Sequence, residues 1–160
     1  MQKPIIICVD DQREVLATLK KDLDEFVEFF KIEYCESAEE ANELIEEIDA
    51  SGNHLALLIC DHIMPVSNGI DFLIEVDKDI RFTKTKKILL TGLATHQDTI
   101  VAINNASIDF YIEKPWESNN LVGAVKNLIT KYILSAGIEY KDFLSILDRE
   151  FLYKELHLKN

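Results

Sequence analysis

The stretch LLICDHIMP, residues 57–65, is an apolar run that breaks off at an acid. Leu57, Leu58, Ile59 and Cys60 carry no alternating polar residue, so they read as a strand buried on both faces. Asp61 follows directly, and Pro65 with Gly69 turns the chain toward the next apolar pattern. A carboxylate delivered to the tip of a buried strand is costly unless other groups meet it there. Other stretches of the chain share this form, and their tips carry such groups.

PIIICV (4–9), KIEYC (31–35), KKILLT (86–91) and SIDFYIE (107–113) predict strands beside LALLIC (55–60). Helical patterns separate them. Between Asp11 and Phe30, the residues Val15, Leu16, Leu19, Leu23, Phe26, Val27 and Phe30 mark one face of a helix. Ser37 and Glu40 stand at capping-box spacing where SAEEANELIEEI begins. NGIDFLIEVDKDI (68–80) predicts a third helix starting at Asn68 or Gly69. A fourth starts around Thr95 and Asp98 and runs through Ile100, Val101 and Ile103, and a fifth covers 118–134. Five strands, each followed by a helix, point to an α/β fold with a parallel sheet, right-handed crossovers and helices on both faces. After Gly137, the spacing of Tyr140, Phe143, Leu144, Leu147, Phe151 and Leu152 predicts an additional C-terminal helix. That helix can fold back on its own domain or pair with another chain.

The 160 residues suit one domain over 1–134 with a helical extension over 135–160, and the 48% hydrophobic content can fill a core. A net charge of -12 disfavours nucleic acid and anionic membranes as partners. Cys8, Cys35 and Cys60 form no C-x-x-C pair and lie in strand-like runs, as expected of reduced, buried thiols in a cytoplasmic protein. PIIICV is too short for the core of a signal peptide, and no stretch approaches the roughly 20 apolar residues of a membrane span.

In an open parallel sheet, ligands bind beyond the carboxyl ends of the strands, where the strand order reverses. The first strand ends in Asp10 and Asp11, the third in Asp61, and the fourth in Thr91, while the fifth runs into Lys114 and Pro115. Crowded carboxylates repel one another and favour a cation. Hard oxygen ligands in an open, wet site suit Mg²⁺. The ion and the Lys114 ammonium together make a socket for a phosphoryl group, to which Thr91 can donate a hydrogen bond. A carboxylate in such a socket can attack phosphorus and become an acyl phosphate.

These residues resemble a known family. VDDQ after the first strand, CDHIMP with Gly69 following, LLTG closing the fourth strand and FYIEKPW closing the fifth are similar to the receiver (CheY-like) domains of two-component response regulators. The resemblance covers about residues 4–134. It implies a flavodoxin-like, doubly wound sheet of five parallel strands in the order 2-1-3-4-5, with five helices plus the extra C-terminal one. It also implies that Asp61 is the phosphoacceptor. Asp11 and Asp61 would bind Mg²⁺ directly, with the backbone carbonyl of Ile63, and Asp10 would assist through water. Lys114 would hold the phosphoryl group and Thr91 would move to bond it. Tyr111 matches a switch aromatic whose ring turns inward with Thr91. Pro115 matches a proline preceded by a cis bond, which would aim Lys114 into the site. Ile63 and Leu93 would flank the entrance, and two apolar side chains there predict slow hydrolysis of the phosphoryl group.

Blander roles are also expected. A strand-end acid often caps a helix, which accounts for Asp10 or Asp11 singly but not for the set. His62 is expected in an exposed loop and Trp116 as a packing residue. The expected partners are a sensor histidine kinase or phosphotransfer protein and a downstream protein target. A homodimer could form through helix four, strand five and helix five, or through the C-terminal helix. No helix-turn-helix or cyclase signature follows residue 134, so output through protein–protein contact is expected rather than enzymatic turnover. One alternative is a receiver segment of a larger signalling protein. Another is a haloacid-dehalogenase-like phosphatase, although that family needs D-x-D after the first strand and this chain has VDDQ.

Overall fold

The computed structural model describes residues 2–92 and 96–158. Strands β1 (Ile5–Val9), β2 (Lys31–Cys35), β3 (Leu55–Asp61), β4 (Lys86–Thr91) and β5 (Phe110–Glu113) form one sheet. All neighbours are parallel, in the order β2-β1-β3-β4-β5, so the strand order reverses between β1 and β3. This is the flavodoxin-like doubly wound arrangement expected from the sequence. The helices are α1 (Arg13–Asp22), α2 (Ala38–Ala50), α3 (Gly69–Lys78), α4 (Gln97–Asn105), α5 (Ser118–Ala136) and α6 (Arg149–Leu158).

Strand alternation divides the core into two layers. Ile6, Cys8, Leu57, Ile59, Ile88 and Leu90 face one side with Leu19 of α1 and Leu121, Val125 and Ile129 of α5. Ile5, Ile7, Val9, Leu58, Cys60 and Leu89 face the other, with Ala41 and Ile45 of α2 and Phe72 and Leu73 of α3. Each central strand is therefore covered on both faces, which explains its continuous apolar run.

Three helix boundaries follow from named contacts. Ser37 Oγ accepts the Glu40 amide at 3.1 Å, as the capping box requires, while the Glu40 carboxylate reaches the Glu36 amide at 2.9 Å. The Asn68 side chain accepts the Ile70 amide at 2.7 Å and starts α3. Gly137 ends α5 at φ 70°, a left-handed cap that its missing Cβ makes inexpensive.

Two expectations need correction. The single helix predicted from Asp11 to Phe30 is α1 followed by a 3₁₀ turn at Asp24–Phe26. A twenty-residue helix would run about 30 Å. Strand β1 has five residues and spans only about 17 Å, so the chain must turn early to begin β2. Leu23, Phe26 and Phe30 stay buried through that turn, whereas Val27 points to solvent. The single sixth helix is likewise divided, into a 3₁₀ segment at Tyr140–Ile146 and α6.

Asp148 makes the division in the C-terminal segment. Its carboxylate accepts the Phe151 amide at 3.1 Å and the Asn127 side-chain amide at 3.1 Å. Its own amide donates to Thr130 Oγ1 at 2.9 Å. One acid thus caps α6 and ties it to α5. Phe143, Ile146, Leu147 and Leu152 are buried in the α1–α5 layer, where Phe143 packs its ring against Phe29 and Phe30. Most of the tail's apolar face packs on its own domain, while Leu144 stays 41% exposed.

Candidate active site at the carboxyl edge of the sheet

The strands deliver the polar groups to one place. Asp61 is the last residue of β3 and Thr91 the last of β4, while Asp10 directly follows β1 and Lys114 directly follows β5. Asp10, Asp61 and Thr91 are buried, and Asp11 is exposed. The Lys114 ammonium lies 2.7 Å from Asp61 Oδ1 and 2.9 Å from Asp10 Oδ2. Its backbone amide donates to the Thr91 carbonyl at 2.9 Å. Ligand oxygens of Asp10, Asp11 and Asp61 all lie within 4.8 Å of one another. A cavity of about 290 Å³ opens over them, lined by Asp11, Gln12, Asp61, His62, Ile63 and Lys114 among others.

The charges do not balance. Among the described residues, one ammonium faces three carboxylates, two of them buried. Burial raises the Asp61 carboxyl above the ordinary aspartate range; the Lys114 hydrogen bond opposes this, and the charges of Asp10 and Asp11 add to it. Burial works against the Lys114 ammonium too, but hydrogen bonds to Asp61 and Asp10 outweigh it and hold the lysine above its usual value. Hard donors with excess negative charge suit a divalent cation of the Mg²⁺ type, so the donor set fits that ion.

The other expected residues are placed unequally. The Lys114–Pro115 peptide is cis, as the family resemblance implied. Tyr111 is 48% exposed, with its ring outside the site. Ile63 borders the cavity and is 61% exposed. Leu93 lies outside the described residues, as does Thr95 in the expected start of the fourth helix. Trp116 packs against the α1–α5 layer as expected, and its Nε1 also donates to Asp22 Oδ2 at 2.9 Å. Asp10 combines two roles, since its Oδ1 accepts the Gln12 amide at 2.8 Å before α1 while Oδ2 pairs with Lys114.

His62 departs from expectation. It is buried rather than exposed in a loop, and its Nδ1 lies 3.1 Å from Thr91 Oγ1. The cause is the ladder: the His62 amide donates to Leu90 at 2.9 Å and carries β3 pairing one residue past Asp61. The only sequence signal was adjacency to the acid. The reason for glycine at 69 was also illegible. A Cβ there would overlap the Asp61 carbonyl oxygen and come within 3.0 Å of Cys60 Sγ. α3 begins that close to the strand carrying the central acid.

The model of the response regulator receiver domain matches residues 6–126. The chain belongs to this family. Over 124 residues the receiver is 31% identical to the hydrogenase transcriptional regulatory protein HoxA of Cupriavidus necator, covering 78% of this chain and 24% of that one. It is 31% identical over 127 residues to the transcriptional regulatory protein CpxR of Klebsiella pneumoniae, covering 79% and 49%. The receiver therefore spans between about a quarter and a half of these curated relatives. Its fold is similar to a CheY-like response regulator receiver domain protein of Methanospirillum hungatei, with a TM-score of 0.70 and 25% identity over 84% of this chain and 99% of that one. Membership sets the function class as phosphoryl acceptance in two-component signalling and displaces the phosphatase alternative. Among the described residues, no helix is long and apolar enough to cross a membrane.

Proposed function

We propose that Asp61 is the phosphoacceptor and takes its phosphoryl group from the phosphohistidine of a sensor kinase or phosphotransfer protein. The observation that carries this reading is Lys114 paired at once to Asp61 and Asp10, at the strand-order reversal and beneath an open cavity. An unprotonated Asp61 oxygen forms the new O–P bond as the P–N bond to the donor imidazole breaks. The imidazole leaves with the bonding pair and is protonated. Lys114 is already charged and within reach, so it can follow the phosphoryl oxygens without prior reorganisation. Thr91, at the end of the adjoining strand, supplies a hydroxyl to the same group.

Asp11 and Asp61 would hold Mg²⁺ directly with the Ile63 carbonyl, and Asp10 would hold it through water. When bound, the ion would supply positive charge to the phosphoryl oxygens beyond that of the single lysine. Output follows from the new charge on Asp61, which biases Thr91 and, through the strand ends, the surface of α4, β5 and α5. Ile100, Val101, Phe110 and Tyr111 leave apolar surface exposed there, which supports a protein target or a second copy as the reader. The greater length of the curated relatives supports the alternative that this receiver works as a segment of a larger signalling protein.

The test is incubation with Mg²⁺ and acetyl phosphate, followed by intact mass and size-exclusion analysis. A single phosphate adduct should form on the wild type and be absent from Asp61→Asn. An adduct that persists in Asp61→Asn refutes the assignment. A shift in elution on phosphorylation separates dimeric output from a monomer that binds a target.

A further inference from the structure

His62 has no part in the chemistry described so far, yet it is held firmly against it. Its amide donates to the Leu90 carbonyl and its carbonyl accepts the Gly69 amide, both at 2.9 Å. The main chain is thus pinned to β4 on one side and to the start of α3 on the other. His62 as a whole is 9% exposed, and its Nδ1 lies 3.1 Å from Thr91 Oγ1. Thr91 is in turn tied to Lys114 by its backbone carbonyl.

A threonine hydroxyl has one hydrogen and two lone pairs. If the ring accepts that hydrogen, none is left for a phosphoryl oxygen. If Nδ1–H donates instead, the hydroxyl keeps its hydrogen and has it directed away from the ring.

We propose that His62 is a positioning residue for phosphoryl transfer: Nδ1–H donates to Thr91 Oγ1 and aims the hydroxyl hydrogen at the phosphoryl group on Asp61. This rests on Asp61 being the phosphoacceptor and Thr91 a ligand of the phosphoryl group. A residue that merely packed β3 against β4 would act without Thr91, and that difference is measurable.

The experiment measures initial rates of adduct formation from acetyl phosphate with Mg²⁺ by intact mass. The proteins are the wild type, His62→Phe, His62→Asn, Thr91→Ala and the double variant His62→Phe/Thr91→Ala. Phenylalanine keeps the ring and loses the nitrogen, whereas asparagine keeps a polar atom near the Nδ1 position. His62→Phe should slow transfer about three- to tenfold, the span of one net hydrogen bond. His62→Asn should recover most of that loss, and the double variant should stay within about twofold of Thr91→Ala. Three outcomes overturn the proposal: no slowing in His62→Phe, the same slowing in the Thr91→Ala background, or His62→Asn no better than His62→Phe. If His62→Phe does not fold, His62→Leu is read in its place against the same outcomes. An adduct on Asp61→Asn, run as a control, would refute the phosphoacceptor assignment instead.

Discussion

Replacing Gly69 by alanine tests how closely the start of α3 sets the position of Asp61. The added Cβ meets the Asp61 carbonyl oxygen, which is backbone and cannot rotate away, and sits 3.0 Å from Cys60 Sγ. Restoring ordinary contact requires the helix and strand end to part by on the order of 1 Å. Such overpacking costs roughly 1–3 kcal/mol, while alanine returns up to about 1 kcal/mol of helix propensity. A net loss of about 1–2 kcal/mol is expected in urea denaturation. The functional effect should be larger, because the displaced residue carries the carboxylate that stands 2.7 Å from Lys114. A misplacement of about 1 Å slows transfer on the order of a hundredfold. Gly123→Ala on α5 is the control, since nothing lies within 4 Å of its Cβ. It should leave phosphorylation unchanged and raise stability by up to about 1 kcal/mol. If Gly69→Ala is as stable as the wild type and takes phosphate from acetyl phosphate at the same rate, the close-approach reasoning is wrong.

Three other expectations follow from the same geometry. Burial raises the Asp61 carboxyl, Lys114 opposes that, and Asp10 and Asp11 add to it, so the folded state binds this proton more tightly than the unfolded chain. The ionised form therefore costs stability above the folded pKa, and the cost fades as the pH falls through it. Asp61→Asn should melt above the wild type at neutral pH in metal-free buffer, with the gap closing on acidification; a gap that widens in acid contradicts the sign. Ile63 borders the cavity, and the family resemblance pairs it with Leu93 at the entrance; Ile63→Asn combined with Leu93→Glu should therefore shorten the lifetime of the phosphorylated protein by admitting water, and equal or slower decay would remove that role. Phe143→Ala, which empties a buried site against Phe29 and Phe30, should cost about 3–5 kcal/mol in denaturation. Its phosphorylation rate should stay at the wild-type value, because the tail lies away from the cavity.

Much of this molecule is legible from local pattern. The apolar runs mark the five strands because burial on both faces leaves no room for alternation. The acids, threonine and lysine at the ends of those runs name the site because a parallel sheet gathers its carboxyl ends on one edge. Less legible is whatever depends on fit. The pattern from Val15 to Phe30 reads as one helix because a 3₁₀ turn preserves its inward side chains, and only the strand length shows that the helix must stop. The tail misleads in the same way, since Asp148 acts as a cap only once Asn127 and Thr130 stand opposite it.

The sequence by itself determined the kind of fold, the order of its elements and the chemistry available at the strand ends. Each of these rests on periodicity and residue type, which are properties of short stretches. Tertiary structure decided which of those groups touch. Lys114 and Asp10 are 104 residues apart in the chain and 2.9 Å apart in space, a distance set by strand order and helix packing. His62 was one residue from the central acid throughout, but its hold on Thr91 arises only where β3 lies beside β4. Asp61, at the break in LLICDHIMP, is buried and partnered for the same reason: contact across a sheet is a property of the whole packed domain, and no local stretch encodes it alone.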